Sequence, residues 1–151
     1  MPLASASVVV ISSCAEMALA LLQATRRGAA DLDQFSGSMH EAARALIESR
    51  CADPQFDPGA VAAALGCSRA SLYRLFAQHG ESVAAVIRSS RLERARRMIL
   101  GEMYAAMPLA EIAFRSGFLD QASFNRMFKR VYGMAPGEVR QKMASKPASA
   151  R

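Results

Sequence analysis

Three observations make this chain an all-helical protein. From residue 38 onward apolar side chains recur at three- and four-residue spacing, and no useful length alternates with period two. One helix-turn-helix pattern also occurs twice, about 50 residues apart. A length of 151 residues with 52% hydrophobic content allows one domain with a real core, or two very small ones sharing a framework.

The elements follow in order. Met39, Ala42, Ala43, Leu46 and Ile47 mark an amphipathic helix over 38–50, with Glu41, Arg44 and Glu48 between them. Asp57-Pro58 supplies a capping carboxylate and a proline at the first helical position, so a short helix runs to about Leu65, where Gly66 ends it. Ser68 can cap the next, whose apolar face is Leu72, Leu75 and Phe76, through about Gln78. Ser82 can cap a long helix to Leu100, with Val83, Val86, Ile87, Ala95, Met98 and Ile99 inward. Its arginines Arg88, Arg91, Arg94, Arg96 and Arg97 form a mostly outward, solvated face with one or two ion pairs. Gly101 is a stop, Pro108 opens a short helix to about Ser116, and Gly117 turns the chain. Asp120 can cap a helix to about Val131, Gly133 closes it, and Pro136 starts a last one through Met143. The tail 144–151 is expected to be flexible.

Residues 1–37 form a separate helical segment and linker. They carry a net −1, whereas residues 38–146 hold 16 Lys and Arg against 10 Asp and Glu. Ala15, Ala18, Leu19 and Leu22 make a narrow apolar seam that a lone helix cannot bury, so it packs back on the domain or pairs with a second copy through residues 8–24. The run Val8-Val9-Val10-Ile11 has no positive charge before it and stops at Glu16, which reads as neither a signal peptide nor a membrane span.

The formal charge is +6 and the pI about 9.8, which favours polyanionic partners. Three cysteines without a C-x-x-C pair argue against a disulfide framework or zinc ribbon and suit a cytoplasmic setting. His40 and His79 stand at no ligand spacing, so no metal or cofactor is expected. No nucleophile has a base nearby, no glycine-rich phosphate loop is present and no acids are paired at a plausible cleft, so enzymatic activity is not expected. Cys67 reads as a small packed thiol, His79 as a helix-end residue, and Met98, Met127 and Met134 as core fillers.

The repeat carries the argument. Val61-Ala62, Gly66 and Leu72-Tyr73-Arg74-Leu75-Phe76 are echoed by Ile112-Ala113, Gly117 and Phe124-Asn125-Arg126-Met127-Phe128. Ala62 and Ala113 are small where the second helix crosses, Gly66 and Gly117 supply a turn at positive φ, and Leu72/Phe76 and Phe124/Phe128 anchor the second helix. In such a unit the second helix can enter the major groove of DNA. The faces on offer are Arg69, Ala70, Tyr73 and Arg74 in one unit and Gln121, Ala122, Asn125 and Arg126 in the other. Arg can grip guanine O6 and N7, and Asn or Gln can bracket adenine. Ser68, Ser71, Ser123, Lys129 and Arg130 are candidate phosphate contacts. Between the units, a helix over 82–100 measures roughly 28 Å at 1.5 Å per residue, close to the roughly 34 Å between successive major-groove faces.

These residues resemble the DNA-binding domain of AraC/XylS-type bacterial transcription regulators. The segment Gly66 to Phe76 resembles its first recognition unit, Arg91-Leu92-Glu93-Arg94-Ala95-Arg96 its connecting helix, Ile112-Ala113 through Arg130 its second unit, and Tyr132-Gly133-Met134-Ala135-Pro136 its close. The resemblance covers about residues 40–143, within a domain drawn at 38–143 with units at about 57–79 and 108–131 and a connector at about 82–100. It implies seven helices in two subdomains, binding to double-stranded promoter DNA, and transcriptional activation by contact with RNA polymerase. Ala70 and Ala122 stand where relatives often carry a hydrogen-bonding side chain, which reduces reading there to a methyl contact with thymine. Full-length relatives usually place an effector-binding or dimerising domain before this one. The opening 37 residues are too few to form it and resemble at most its final dimerisation helix; a truncated form, a fragment and a minimal regulator remain open, and no effector is implied. The competing reading is a helical interaction module that modulates a full-length regulator or RNA polymerase without reading DNA itself.

Overall fold

The computed structural model describes residues 36–145. The chain divides after Met39 into two units, the second beginning at His40. The seam on Ala15, Ala18, Leu19 and Leu22, the pairing segment 8–24 and the tail from residue 146 lie outside the described residues.

Among the described residues are seven α-helices, one 3-10 turn and no strand. Helix α1 covers residues 36–50. It is followed by α2 (Pro58–Ala64), α3 (Arg69–Gln78), α4 (Val83–Leu100), a 3-10 turn (Glu102–Tyr104), α5 (Leu109–Arg115), α6 (Gln121–Tyr132) and α7 (Pro136–Ala144). The starts are local chemistry. Asp57 Oδ1 accepts from Ala60 N at 2.8 Å with Pro58 behind it, and Glu138 reaches back to accept from Ala135 N at 2.6 Å. Ser82 occupies the cap position of α4 and Pro108 that of α5, just outside the helix rather than within it, and neither makes a side-chain capping bond.

The ends of α2 and α5 are the same motif. Gly66 N donates to Ala63 O and Cys67 N to Ala62 O, while Gly117 N donates to Phe114 O and Phe118 N to Ala113 O. This is the Schellman arrangement, and it places Gly66 at φ +65 and Gly117 at φ +87. The short helices are thereby stopped one residue before the sharp turn that each unit needs.

Two apolar cores result, and α4 runs through both. The first gathers Ala43 and Ile47 of α1, Phe56 of the following loop, Val61 and Ala62 of α2, Leu72 and Phe76 of α3, and Val83, Val86 and Ile87 at the start of α4. The second gathers Leu92, Ala95, Met98 and Ile99 at the end of α4 with Ile112, Ala113, Phe118, Phe124 and Phe128. Each buried Phe, Leu or Ile contributes about 1.5–3 kcal/mol of transfer free energy. Leu92 joins this face although its place among the arginines hides it in the sequence.

Two features depart from the sequence reading. In α1 the buried positions include His40, whereas Ala42 is exposed. His40 is accommodated because Nε2 lies 2.9 Å from Glu81 Oε2, and its ring stacks on His79 at 3.9 Å and meets Phe76 edge-on at 4.9 Å. Arg44 also pairs with Glu81, and this bond, with that of His40, holds the Glu81 carboxyl below its ordinary value.

The second departure is Arg91, which is not part of a solvated face. It sits between the two cores and donates from Nε to Cys51 O at 2.9 Å and from Nη2 to Asp53 O at 2.9 Å and Phe56 O at 3.0 Å. Burial pulls its pKa below the ordinary arginine value and pushes the neighbouring Cys51 thiol up; the guanidinium still stays charged. Gly117 approaches the same spot. A Cβ there would stand 2.3 Å from Cys51 O and 2.8 Å from Arg91 Nε, whereas one on Gly66 would meet nothing within 4 Å.

The matching glycines are therefore under different constraints. Gly66→Ala is expected to cost only the left-handed backbone term, about 1–2 kcal/mol. Gly117→Ala adds a backbone clash and is expected to cost about 3–5 kcal/mol, with urea denaturation of the two variants as the measurement. Arg91→Lys is expected to destabilise by about 2–4 kcal/mol, because a single ammonium cannot reach the divergent carbonyls. Equal losses at the two glycines, or a neutral Arg91→Lys, would contradict this account of the joint.

Candidate nucleic-acid interface

Helices α3 and α6 present the same construction. Ser68 caps α3, its Oγ accepting from Ser71 N at 3.1 Å and lying 2.9 Å from Ser71 Oγ, and Arg74 Nη2 reaches back to Ser71 Oγ at 3.4 Å. In α6, Asp120 Oδ1 accepts from Ser123 N at 2.7 Å and Arg126 Nη2 donates to Ser123 Oγ at 3.0 Å. Cap, serine and arginine stand three residues apart each time, one above another on the helix. The serine turns each arginine toward the N-terminal end of its helix, the end that enters a groove in helix-turn-helix docking.

All eight candidate base-contacting residues are exposed. Arg69, Ala70, Tyr73 and Arg74 lie on one side of α3, and Gln121, Ala122, Asn125 and Arg126 on one side of α6. Leu72 with Phe76, and Phe124 with Phe128, are fully buried on the other sides. Tyr73 keeps 49% of its surface exposed. Arg69 does not project freely: a Cβ on Gly59 would fall 2.3 Å from its Nη2, so its guanidinium lies along α2.

The candidate phosphate contacts divide by position. Ser68 is exposed at the cap, Lys129 and Arg130 are exposed on the later turns of α6, and Ser71 and Ser123 are half-buried with their hydroxyls holding Arg74 and Arg126. Lys129 borders a groove of about 390 Å³ with Asn125, Arg126, Leu109 and the start of α7 at Pro136 and Gly137. Arg130 borders a cleft of about 550 Å³ with Arg88, Ser123, Arg126 and Met127. Arg88 belongs to α4, and the sequence offered no means to separate it from its four neighbours.

The far end of α6 is fastened to α4. Tyr132 Oη donates to Glu93 Oε2 at 3.1 Å and Arg96 lies over the Tyr132 ring at 5.5 Å. Burial first, then the Glu93 bond, pushes the phenol pKa up to about 12. Phe114 and Leu119, beside the second turn, are exposed large apolar side chains that the sequence did not single out. Among the described residues no group of His, Cys, Asp and Glu could hold a metal ion, and no helix is long and apolar enough to cross a membrane.

The Asp120 carboxyl is held below its ordinary value, chiefly by the bond from Ser123 N and then by the Ser123 hydroxyl. A carboxyl lowered on folding contributes stability above its unfolded pKa, near 3.8, and loses it as pH falls through the folded value. Asp120→Asn, an equally good cap, should flatten the dependence of melting temperature on pH below about pH 4 while leaving the neutral-pH melt almost unchanged. An unaltered acid limb in this variant would place the titrating group elsewhere.

Residues 61–142, more than half of the chain, match the family model described as a helix-turn-helix domain. The chain is 33% identical over 125 residues to the HTH-type transcriptional regulator GlxA of Rhizobium meliloti (strain 1021), covering 81% of this chain and 37% of that protein. It is 31% identical over 99 residues to the transcriptional activator NphR of Rhodococcus sp, covering 66% of this chain and 29% of that one. It thus spans about a third of the length of these curated relatives. Its fold matches the crystal structure of a transcriptional regulator from Chromobacterium violaceum, of the AraC-type DNA-binding domain-containing proteins, with a TM-score of 0.64 at 23% identity over 75% of this chain and 98% of that one. Tandem capped helices, the paired Schellman turns and the match over 61–142 together make this chain a member of the AraC-type helix-turn-helix family.

Proposed function

We propose that this chain is a sequence-specific DNA-binding transcription regulator that activates transcription and works in the cytoplasm, with α3 and α6 reading two adjacent major grooves. The observation that carries the proposal is the repeated cap, serine and arginine on the exposed sides of both helices. Buried aromatic and aliphatic anchors hold each helix by its opposite side, so the polar face is presented on a rigid element.

Each residue has a chemically defined task in this reading. Arg74 and Arg126 grip guanine O6 and N7, Gln121 and Asn125 bracket adenine, and Ala70 and Ala122 meet thymine methyl groups. Arg69 swings off Gly59 to reach a base, and Tyr73 contacts a base or sugar. Ser68, Ser71, Ser123, Lys129 and Arg130 position the backbone through phosphate oxygens. The assignment as an activator follows the name of the relative NphR. RNA polymerase as the protein partner, and pairing of two copies through residues 8–24, extend the reading to the parts of a regulator beyond the two units.

Selection of binding sites from a random duplex library tests the proposal. The expected product is a motif with two half-sites about one helical turn apart. Arg74→Ala and Arg126→Ala should each cost about 1–3 kcal/mol on the selected site and blur its own half, whereas Lys129→Ala should weaken all sequences alike. No enrichment by a folded helical protein would favour the interaction module instead.

A further inference from the structure

We propose that Arg88 is a DNA-backbone clamp: with Arg130, and beside the base-reading Arg126, it forms a seat for one phosphodiester of the strand that borders the groove entered by α6. The inference rests on the DNA-reading proposal and adds to it a contact from the connecting helix.

The five arginines of α4 are not equivalent. Arg91 is bound to the carbonyls of Cys51, Asp53 and Phe56, and Arg94 donates to Arg115 O at 3.1 Å. Arg96 pairs with Glu93 and covers Tyr132, and Arg97 lies 3.8 Å from Glu48. Arg88 has no such engagement, and it is exposed on the side of α4 that faces α6.

The cleft it borders is one-sided in charge. Arg88, Arg126 and Arg130 line it with Ser123 and Met127, and no carboxylate takes part. The adjoining recess of about 170 Å³, lined by Arg88, Arg130, Ser89 and apolar neighbours, has no carboxylate either. Three guanidinium groups around one cleft repel each other, a cost that a bound anion offsets. A phosphodiester offers a single negative charge and two free oxygens, which suit the forked donors of arginine.

The seat exists in one unit only. Lys129 and Arg130 of α6 correspond in the repeat to Ala77 and Gln78 of α3, so the first unit lacks the basic flank that completes it. Since α4 contributes to both cores, anchoring it at Arg88 holds the second unit and the connector against the backbone together.

Fluorescence anisotropy of the full chain on a selected-site duplex and a scrambled duplex, from 50 to 200 mM KCl, tests the clamp. Arg88→Ala should weaken both duplexes alike and lower the slope of log K against log salt by about 0.9, so that the affinity lost across this range shrinks about 3.5-fold. Arg88→Lys should restore the slope, and Arg97→Ala should leave it at the wild-type value. Wild-type slope in Arg88→Ala, or loss confined to the selected site, would overturn the clamp while leaving the DNA-reading proposal standing. A large fall in the melting temperature of Arg88→Ala would show a structural residue and overturn it equally. A folded wild-type chain that binds neither duplex would overturn both proposals.

Discussion

The arrangement of both units depends on one half-buried guanidinium. Arg91 sits where α4 passes from one core to the other, and it satisfies backbone carbonyls between Cys51 and Phe56 in a half-buried joint. Even partial burial of a charge is costly, and it persists here because three peptide oxygens converge on it. The turn at Gly117 lies against the same carbonyl of Cys51, so a loop of the first unit, the connecting helix and the turn of the second meet at one point. Without that convergence, α4 would still bury its apolar face on either side. It would no longer define the angle at which the two sides meet.

Much of the architecture was legible in the sequence, and the parts that were share a property. The caps at Asp57, Ser68 and Asp120, the turns at Gly66, Gly117 and Gly133, and the anchor pairs Leu72/Phe76 and Phe124/Phe128 all act within a few residues of themselves. Local chemistry leaves a local pattern. Arg91 was illegible because its partners are peptide carbonyls 35 to 40 residues away, which have no side-chain signature. His40 was illegible for a related reason: a polar residue on an apolar face is revealed only by the Glu81 and His79 that receive it.

The interface divides in the same way. Which side chains are presented follows from helical period, and the eight outward residues of α3 and α6 were identifiable on that ground alone. How they are held was not. Period cannot tell that Ser71 and Ser123 are half-buried brackets for Arg74 and Arg126, that Arg69 lies along Gly59, or that Arg88 borders a cleft with α6 without being engaged by a carboxylate, a carbonyl or a ring. Those facts depend on which groups are already engaged within the fold. Composition counts charges; the structure shows which of them are spoken for.

The single uninterrupted α4 has a consequence for how such a molecule can change. Ile87 closes the first core and Leu92 opens the second on the same continuous helix, with no loop to absorb a change in length. One residue inserted between them would rotate everything beyond it by about 100° and advance it by about 1.5 Å. Arg91 or its neighbours would turn away from the carbonyls, and α6 would point to a different azimuth from α3. Side chains on the outward faces can be exchanged one at a time, whereas the angular phase between the two units admits no small steps. Diversification within this architecture is therefore confined to what the helices display, because the ruler between them cannot be lengthened by a residue and still be a ruler.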